Sequence, residues 1–342
     1  LTERLPSVLA PKTIDNDLGL NYRNESNEWI RKPDNSEKGY TYYKKPSGIV
    51  FDLEQMINYV TPGFVTAVYE AAMDILRIRT TAESHRRIAI VEVMGRQSGY
   101  ISLGAMYGQS DIVLVPEYPL NIELLTEKVK EIYDLQKDVV IVCGEGIVDA
   151  NGNILGAAKA STDPAGNIIL SGAAESLRRM LMERIGDAFF KKRRRGNTAG
   201  ESIFTRKVGH TQRGGRPLLF DRFYAAQLGG KAVDMLVEGQ NNSIAVLQWN
   251  RKNGFYLSSF DGNGFRDKWG FIHPRQMHPS FYDPSLMKPS RVGVDYLLNI
   301  FTNAIGQDDV EYIRQKLFDS GNLTEPYHSP NTDIAKRIKY LE

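Results

Sequence analysis

Helical and extended apolar segments alternate along most of the chain. A helix is predicted where apolar residues recur three and four positions apart, at Phe64, Val68, Ala71, Ala72 and Ile75. The run 87–93 is rich in apolar and β-branched residues, which is typical of a strand buried on both faces of a parallel sheet. Helical sequence from about Gln97, strands at 111–116 and 139–143, and a helix at 121–137 complete this first set.

A second alternating set follows it. It comprises a helix at about 172–192, a strand at 203–208, a helix around 224–235 and a strand at 244–249. Strands that alternate with helices indicate a parallel sheet. The sequence therefore predicts an α/β fold with parallel, helix-flanked sheets in two lobes.

Composition limits the classes of function to consider. The chain has 342 residues, 42% of them hydrophobic, so it can bury a sizeable core. Its 43 basic and 41 acidic residues leave a formal net charge of +2, which favours neither a nucleic acid nor a membrane surface as partner. Its one cysteine, Cys143, excludes an internal disulfide framework and a cysteine-rich metal site, and fits a reducing cytoplasm.

The sequence shows no targeting or membrane signal. No apolar run approaches the roughly 20 residues that span a bilayer, and the first residues lack a signal-peptide pattern. The first residue is Leu1 rather than Met, so we expect a fragment or a processed chain. A basic run at 191–195 could bind an anion or a nucleic acid. We interpret it as a solvated helix end, where basic side chains interact favourably with the helix dipole.

Two carboxylates and an amide lie close together in residues 13–17. Asp15, Asn16 and Asp17 lie between apolar segments that should place them at the edge of a sheet. Such a loop can hold a general base beside a carboxylate that binds a metal ion. The alternative is a turn whose Asp and Asn side chains bond their own backbone. For the pentapeptide alone, both interpretations stay open.

Two glycine-containing segments follow predicted strands of the first set. Met94, Gly95 and Arg96 lie at a strand-to-helix junction, where backbone N–H groups and an arginine can bind an anion. Glu145, between two glycines, can accept hydrogen bonds from substrate hydroxyls. A packing glycine and a solvated arginine would explain 94–96 equally well.

A third glycine-rich segment, 209–215, follows the strand predicted at 203–208. It holds His210 and Arg213 within one turn. This combination suits a sugar phosphate, because arginine meets phosphate through a fork and histidine adds a donor. A histidine in a loop is also often structural.

These segments, in this order, resemble the phosphofructokinase family. The similarity comprises 11–18, 61–70, 91–99, 144–146 and 209–215, and covers roughly residues 9–240. The resemblance implies a phosphofructokinase-like fold of the A type. It also implies transfer of a phosphoryl group to the 1-hydroxyl of fructose 6-phosphate, giving fructose 1,6-bisphosphate in glycolysis, with Mg²⁺ as cofactor.

The resemblance assigns roles to residues of this chain. Asp15 matches the carboxylate that takes the proton from the sugar hydroxyl, Asp17 matches the residue that supports magnesium, and Thr13 matches a substrate or phosphoryl contact. The positions that match contacts to the sugar are Met94, Gly95, Arg96 and Glu145. His210 and Arg213 match contacts to the 6-phosphate. Arg87 matches an arginine that reaches the 6-phosphate of a neighbouring subunit, which implies a homodimer or homotetramer with a shared active site.

The chain also departs from the family pattern. The glycine-rich phosphate loop and the Gly-Gly-Asp motif lie upstream of the acidic segment in the family and are not in this sequence, so we expect an incomplete sequence or a separate donor segment. The excursion at 19–59 is longer than the link in compact members and is expected to cover the site or cap an interface. Phe204 stands where compact members carry an arginine, and Arg206 or Lys207 could replace that cation.

The phosphoryl donor stays open between ATP and pyrophosphate, and we favour ATP. Lys12 resembles both the pyrophosphate-dependent branch and a branch of ATP users, and its ammonium could neutralise either donor. A non-catalytic sugar-phosphate-binding regulatory subunit is the second alternative, which the paired aspartates disfavour. A nucleic-acid-binding protein is disfavoured by the net charge and by the lack of an aromatic-basic platform.

The resemblance predicts three parts. These are an active-site lobe at 1–150, incomplete at its amino end, a sugar-phosphate-binding lobe at 151–270, and a carboxyl-terminal helical extension at 271–342.

Overall fold

The computed structural model describes residues 5–34, 39–45, 50–156, 172–193 and 197–317. The strands in these ranges are β1 (Val8–Leu9), β2 (Trp29–Pro33), β3 (Tyr40–Lys44), β4 (Ile88–Val93), β5 (Ile112–Leu114), β6 (Val139–Gly144), β7 (Ile203–Lys207), β8 (Ser243–Asn250), β9 (Gly254–Asp261), β10 (Tyr282–Asp283) and β11 (Lys288–Pro289). The helices are α1 (Phe64–His85), α2 (Tyr100–Gly104), α3 (Ile122–Gln136), α4 (Ala173–Ile185), α5 (Asp187–Arg193), α6 (Ala199–Ser202), α7 (Leu219–Val237), α8 (Arg291–Phe301) and α9 (Gln307–Leu317). Short 3₁₀ turns lie at Glu25–Glu28, Leu53–Gln55, Ala105–Gly108, Gly209–Arg213, Gly262–Phe265 and Pro279–Phe281.

A four-stranded sheet forms the centre of the fold, with the strand order β5-β6-β4-β7 and every pair parallel. All six residues of β4 are buried. Its side chains alternate between two apolar clusters: Ala89 and Val91 pack in the cluster that contains α1, and Ile88 and Ile90 pack with α3 and α4. Burial of each valine or isoleucine side chain stabilises the fold by about 1.5–3 kcal/mol. The helix-flanked parallel sheet confirms the predicted α/β class.

A three-stranded sheet, β1-β8-β9, belongs to the same compact unit as the four-stranded sheet. β1 pairs parallel to β8, but β8 and β9 are antiparallel, so this sheet is mixed rather than parallel as predicted. The cause is the connection between β8 and β9, which has only three residues, 251–253, too few for a crossover helix. The sequence reasoning did not predict β9.

The strand predicted at 203–208 belongs to a different sheet from the one expected. It forms β7, which pairs with β4 of the first set, so the predicted boundary at residue 150 is not a boundary between sheets. Residues up to Ala304 form one compact unit, and the described residues 305–317, with α9, belong to a second unit. The division at 150 and 270 stays a prediction.

The helix predicted at 172–192 is interrupted at Gly186, whose φ of 72° lies in the left-handed region. α5 then carries the start of the basic run, and Arg194 and Arg195 lie outside the described residues. Arg193 is paired with Asp134 and lies 3.6 Å from the ring centroid of Phe189. None of the described helices has the length and apolar character required to cross a bilayer.

The 19–59 excursion contains regular structure that its sequence pattern did not predict. β2 and β3 form an antiparallel hairpin. The guanidinium of Arg31 lies 4.4 Å from the ring centroid of Tyr40 and 4.7 Å from that of Trp269, and Trp29 stacks on His273 at 4.1 Å. Aromatic contacts to a distant segment therefore hold the hairpin in place.

Candidate active site

Each of the four predicted segments begins where a strand ends. The acidic loop (residues 13–17) follows β1, residues 94–96 follow β4, Glu145 follows β6, and the 3₁₀ turn Gly209–Arg213 follows β7. β4, β6 and β7 are parallel neighbours, so their carboxyl ends lie at one edge of the four-stranded sheet, where open α/β sheets bind ligands. The acidic loop, which follows β1 of the three-stranded sheet, lies near this edge, since Asp15 is within electrostatic range of Arg96 and Arg213.

Asp15 lies within electrostatic range of five of the charged residues predicted to form the site, namely Lys12, Asp17, Arg96, Glu145 and Arg213. Burial raises the pKa of the Asp15 carboxyl above its ordinary value, and the Asp17 carboxylate raises it further. Arg213, Arg96 and Lys12 exert the opposite effect, in that order. Oδ1 of Asp15 is buried and has no hydrogen-bond partner among the described residues. The structure thus brings residues from three separate segments to one carboxylate that keeps an unused acceptor.

Glu145 is 8% exposed and belongs to the same group of charges. Burial is the largest cause that raises its pKa, Asp15 also raises it, and Lys207 and Arg96 lower it. Lys207 also forms an ion pair with Glu92, with Nζ 3.1 Å from Oε1. Of the two cations considered as a replacement for the arginine that is missing at Phe204, Lys207 therefore approaches the buried carboxylates.

Asn16, rather than either aspartate, shapes the acidic loop. Its φ of 56° is left-handed, and its Oδ1 accepts the Thr61 backbone N–H at 2.9 Å. Its Nδ2 donates to the Tyr296 hydroxyl at 2.6 Å, and its carbonyl accepts from Arg275 at 2.7 Å. The Asn16 side chain thus bonds Thr61 and Tyr296 rather than its own backbone, so the turn interpretation does not describe it, while Oδ1 of Asp15 is left available for chemistry.

Thr13 and Lys12 join the acidic loop to the start of α1. Thr13 forms a β-bridge with Gly63, and its carbonyl accepts the Thr61 hydroxyl at 2.7 Å. Lys12 is exposed, and its side chain passes close to Gly63: a Cβ built on Gly63 would lie 3.1 Å from Lys12 Cε. Burial raises the pKa of Asp221, which the hydrogen bonds from Thr66 and the charge of Lys12 oppose, and the Asp221 carboxylate accepts the Thr66 N–H at 2.8 Å.

Glycines allow the loops that are predicted to hold the sugar to approach each other. Gly95 has a φ of 118°, which disfavours any other residue. The Met94 N–H donates to Oε1 of Gln212 at 2.9 Å, which ties the end of β4 to the turn that carries His210 and Arg213. Gln212 is 1% exposed, whereas His210 and Arg213 are exposed.

Arg87 lies apart from the other predicted residues. It precedes β4, whereas Arg96 follows it, and six residues of strand between them span roughly 20 Å. Nε of Arg87 is buried without a hydrogen-bond partner among the described residues. Within one chain, the structure therefore does not bring Arg87 to the group around Asp15.

Sequence reasoning missed three residues that contact this region. Arg275 bonds the acidic loop, Asp221 caps the start of α1, and Glu117 accepts the N–H groups of Gly99 and Met277, each at 2.8 Å. The Pro-rich segment after residue 271 carries no periodic signal. Asp221 is buried in the first turn of α7, ahead of the helix predicted around 224–235, so no sequence pattern singled it out.

The donor set suits magnesium. Asp15 offers an unpartnered buried oxygen beside the Asp17 carboxylate, whereas no group of three His, Cys, Asp or Glu side chains converges at this site or at any other in the described ranges. Mg²⁺ in phosphoryl-transfer sites is held by one or two carboxylates, several waters and the substrate phosphates. Two neighbouring carboxylates fit that requirement.

Comparisons with known proteins match the same part of the chain. The sequence profile of the family described as phosphofructokinase matches residues 46–236. A pyrophosphate–fructose 6-phosphate 1-phosphotransferase of Streptomyces coelicolor is 31% identical over 245 residues, 71% of this chain and 56% of that protein. An ATP-dependent 6-phosphofructokinase 2 of Clostridium perfringens is 34% identical over 220 residues, 64% of this chain and 56% of that protein. The chain spans about half the length of these curated relatives.

A solved structure shares the fold. A pyrophosphate-dependent phosphofructokinase of Nitrosospira multiformis superimposes with a TM-score of 0.60 over 90% of this chain and 62% of that chain. The sequence identity is 16%, so this similarity concerns the fold alone.

Proposed function

This chain belongs to the phosphofructokinase family, and we propose that the complete protein transfers a phosphoryl group from ATP to the 1-hydroxyl of fructose 6-phosphate. The observation that carries the proposal is the environment of Asp15. A carboxylate with a buried, unpartnered oxygen lies beside a second carboxylate and within range of three cations. A base next to a metal-binding group and next to cations for anionic substrates is the arrangement that phosphoryl transfer requires.

Each residue contributes a simple step. Asp15 accepts the proton of the sugar 1-hydroxyl while that oxygen forms a bond to the transferred phosphorus and the phosphoanhydride bond of the donor breaks. Thr13 contacts the substrate or the transferring group. Lys12 lies beside the acidic loop and can neutralise negative charge on the donor and on the leaving phosphate. When bound, Mg²⁺ supplies charge neutralisation of the phosphate oxygens, and Asp17 would hold it.

The sugar is held at the edge of the four-stranded sheet. Backbone at Met94 and Gly95, with the side chains of Arg96 and Glu145, can bond its hydroxyls. His210 and Arg213 can bind the 6-phosphate, because both are exposed at the end of β7 and carry donors suited to phosphate. Positioning of the two substrates then supplies a large part of the rate enhancement.

The choice of donor rests on Lys12, which is compatible with both. Relatives named for ATP and relatives named for pyrophosphate are similar to this chain to a comparable degree. We keep ATP as the proposed donor and pyrophosphate as the alternative. The regulatory-subunit alternative requires sugar-phosphate binding alone, and it gives no reason for a buried carboxylate with a free oxygen at Asp15.

The position of Arg87 supports a shared site. Because it lies at the opposite edge of the sheet from Arg96, it could meet a 6-phosphate only in another copy of the chain. We therefore propose that the active protein is a homodimer or homotetramer.

The test is an activity assay on the complete protein with fructose 6-phosphate, Mg²⁺ and either ATP or pyrophosphate. Formation of fructose 1,6-bisphosphate with ATP alone supports the proposal, and formation with pyrophosphate alone supports the first alternative. Binding of fructose 6-phosphate without transfer from either donor would overturn both and favour the regulatory subunit. Calorimetric titration of the sugar phosphate separates that result from a protein that binds nothing.

A further inference from the structure

We propose that Arg275 is a positioning residue that fixes the backbone of the acidic loop, so that Asp15 and Asp17 face the substrates. The inference rests on the proposed function, because it assigns a role in that reaction. Arg275 lies outside the part of the chain that resembled the family in sequence, and its hydrogen bonds to the acidic loop go to backbone carbonyls of that loop.

Arg275 donates hydrogen bonds to backbone carbonyls of the acidic loop and of Asn58. Nε and Nη2 donate to the carbonyl of Asn16 at 3.2 and 2.7 Å, and Nη1 donates to the carbonyl of Asn58 at 2.8 Å. The Arg275 backbone N–H donates to the carbonyl of Asp17 at 2.6 Å. The residue is 3% exposed. One side chain and its own backbone therefore hold two consecutive residues of the loop.

Asn16 and Asn58 lie near the two ends of the 19–59 excursion. Arg275 bonds both of them, next to the Leu20–Ile57 backbone pair that closes the base of this segment of about 40 residues. A planar guanidinium with several fixed donors can bridge two carbonyls in this way, whereas an ammonium is a single point donor group.

The electrostatics of this contact also favour a role in the site. The acceptors are backbone carbonyls, and the guanidinium lies 5.0 Å from the ring centroid of Tyr100. A buried cation bound in this way is unfavourable unless nearby negative charge compensates it. The Arg275 backbone N–H binds the carbonyl of Asp17, so the cation is joined directly to a residue that carries one of the loop's carboxylates.

The surroundings leave room for the arginine and for nothing larger than glycine at position 19. A Cβ built on Gly19 would lie 2.5 Å from Nη1 of Arg275 and 2.6 Å from the carbonyl oxygen of Ile57. Gly19→Ala therefore displaces the guanidinium without removing it. This gives a second way to perturb the same contact.

The test compares kcat and the KM for fructose 6-phosphate of the complete protein with those of Arg275→Lys. The variant keeps the charge but cannot bridge Asn16 and Asn58, so we expect kcat to fall about 10- to 100-fold, as for a misplaced catalytic group, with KM changed less than about threefold. Arg266→Lys is the matched control, since Arg266 donates to the Gly270 carbonyl at 2.8 Å in the same segment and is exposed. Its kcat should stay at the wild-type value.

A double variant separates positioning from general loss of structure. In the Asp15→Asn background the base is already absent, so Arg275→Lys should lower the residual kcat by a smaller factor than it lowers the wild-type kcat, and the remaining loss reflects the misplaced Asp17. Independent, multiplying effects would overturn the inference, as would a wild-type kcat in Arg275→Lys. Gly19→Ala should reproduce the kcat loss, and this variant decides the matter if Arg275→Lys does not fold. An inactive wild type overturns the proposed function together with this inference, whereas an active wild type with an unaffected Arg275→Lys overturns this inference alone.

Discussion

Gly146 lies so close to Arg96 that a Cβ built on the glycine would be 1.7 Å from the arginine's carbonyl oxygen. Gly146→Ala must therefore displace either residues 94–96 or the turn after β6. We expect the free energy of unfolding to fall by about 1–3 kcal/mol, as for an overpacked site, and the affinity for fructose 6-phosphate to fall with it. Denaturant unfolding and calorimetric titration measure the two quantities.

Gly230→Ala is the matched control for that experiment. Gly230 lies within α7, and a Cβ built there would have no described atom within 4 Å. Alanine favours a helix over glycine by about 0.8–1 kcal/mol, so this variant should be more stable than the wild type and bind the sugar unchanged. Equal losses in the two variants would contradict the close approach of Gly146 and Arg96.

Asp15→Asn keeps the shape of the side chain but removes the base. We expect kcat to fall by about 10² to 10⁴, which corresponds to roughly 3–5 kcal/mol of barrier, with little change in fructose 6-phosphate affinity. Steady-state kinetics with ATP and with pyrophosphate measure the effect. Asp234→Asn, on the exposed surface of α7, should behave like the wild type. A wild-type kcat in Asp15→Asn would mean that the loop is structural.

Arg213→Ala tests recognition of the 6-phosphate. A charge-assisted hydrogen bond contributes roughly 1.5–3 kcal/mol, so the affinity for fructose 6-phosphate should fall by about one to two orders of magnitude. Titration with fructose 6-phosphate, and with fructose as the ligand that lacks the phosphate, checks that the loss is specific. Arg291→Ala, whose side chain is 88% exposed, is the control. Unchanged affinity in Arg213→Ala would remove this residue from the site.

The helices and central strands were predictable because their burial produces a recognisable pattern of apolar residues in the local sequence. In β4 and β6 every residue is buried, and α1 presents one apolar face, so apolar runs and helical spacing are both clear. β9 lacks such a signal because its residues alternate irregularly between intermediate and exposed positions. The hairpin β2–β3 depends on Trp269 and Phe271, which no local pattern connects to it.

Mixing of two inactive variants tests the proposed shared site. Arg87→Ala and Asp15→Asn should each have low activity alone. After subunit exchange, a mixed dimer has one intact site, which combines Asp15 from one copy with Arg87 from the other. About half of the dimers are mixed and half of their sites are intact, so a dimer should recover up to about a quarter of the wild-type activity. The same mixture of Arg213→Ala and Asp15→Asn should recover none, because both residues serve one site within one chain. Recovery in neither mixture would place Arg87 outside the site.

Glu117 should make stability depend on pH. Its Oε2 is buried without a hydrogen-bond partner among the described residues, and burial raises the pKa of this carboxyl from 4.5 to about 7, against the opposing N–H groups of Gly99 and Met277. In the unfolded chain the pKa returns to its ordinary value. Between these two values the folded protein binds a proton that the unfolded chain has released, so the stability falls as pH rises from about 4.5 through 7.

Glu117→Gln replaces the titrating carboxyl by a neutral amide and keeps an oxygen that accepts the N–H groups of Gly99 and Met277. The difference in unfolding free energy between the variant and the wild type should shift in favour of the variant by up to about 3 kcal/mol from pH 4.5 to pH 8. Denaturant unfolding at several pH values measures it. Glu127→Gln, at an exposed position of α3, should leave the difference constant. A constant difference for Glu117→Gln would mean that its carboxyl is not perturbed.

The members of the candidate site were predictable only to the extent that family resemblance marks them. Asp15, Arg96 and Arg213 lie in recognisable motifs, and the structure brings them together. Arg275 and Asp221 lie in no such motif, and their importance arises from contacts made in the folded chain. Separations of 259 and 155 residues in sequence are beyond the range of any periodic pattern.

The contact between Arg275 and Asn16 also has a consequence during synthesis. At about 5–20 residues per second, a ribosome needs on the order of tens of seconds to translate the stretch between these two residues. The last strand of the four-stranded sheet, β7, is translated before Arg275, so this sheet can form while the acidic loop still lacks its hydrogen bonds to Arg275. The nascent protein therefore passes through a stage in which its framework exists before its two aspartates acquire their final orientation.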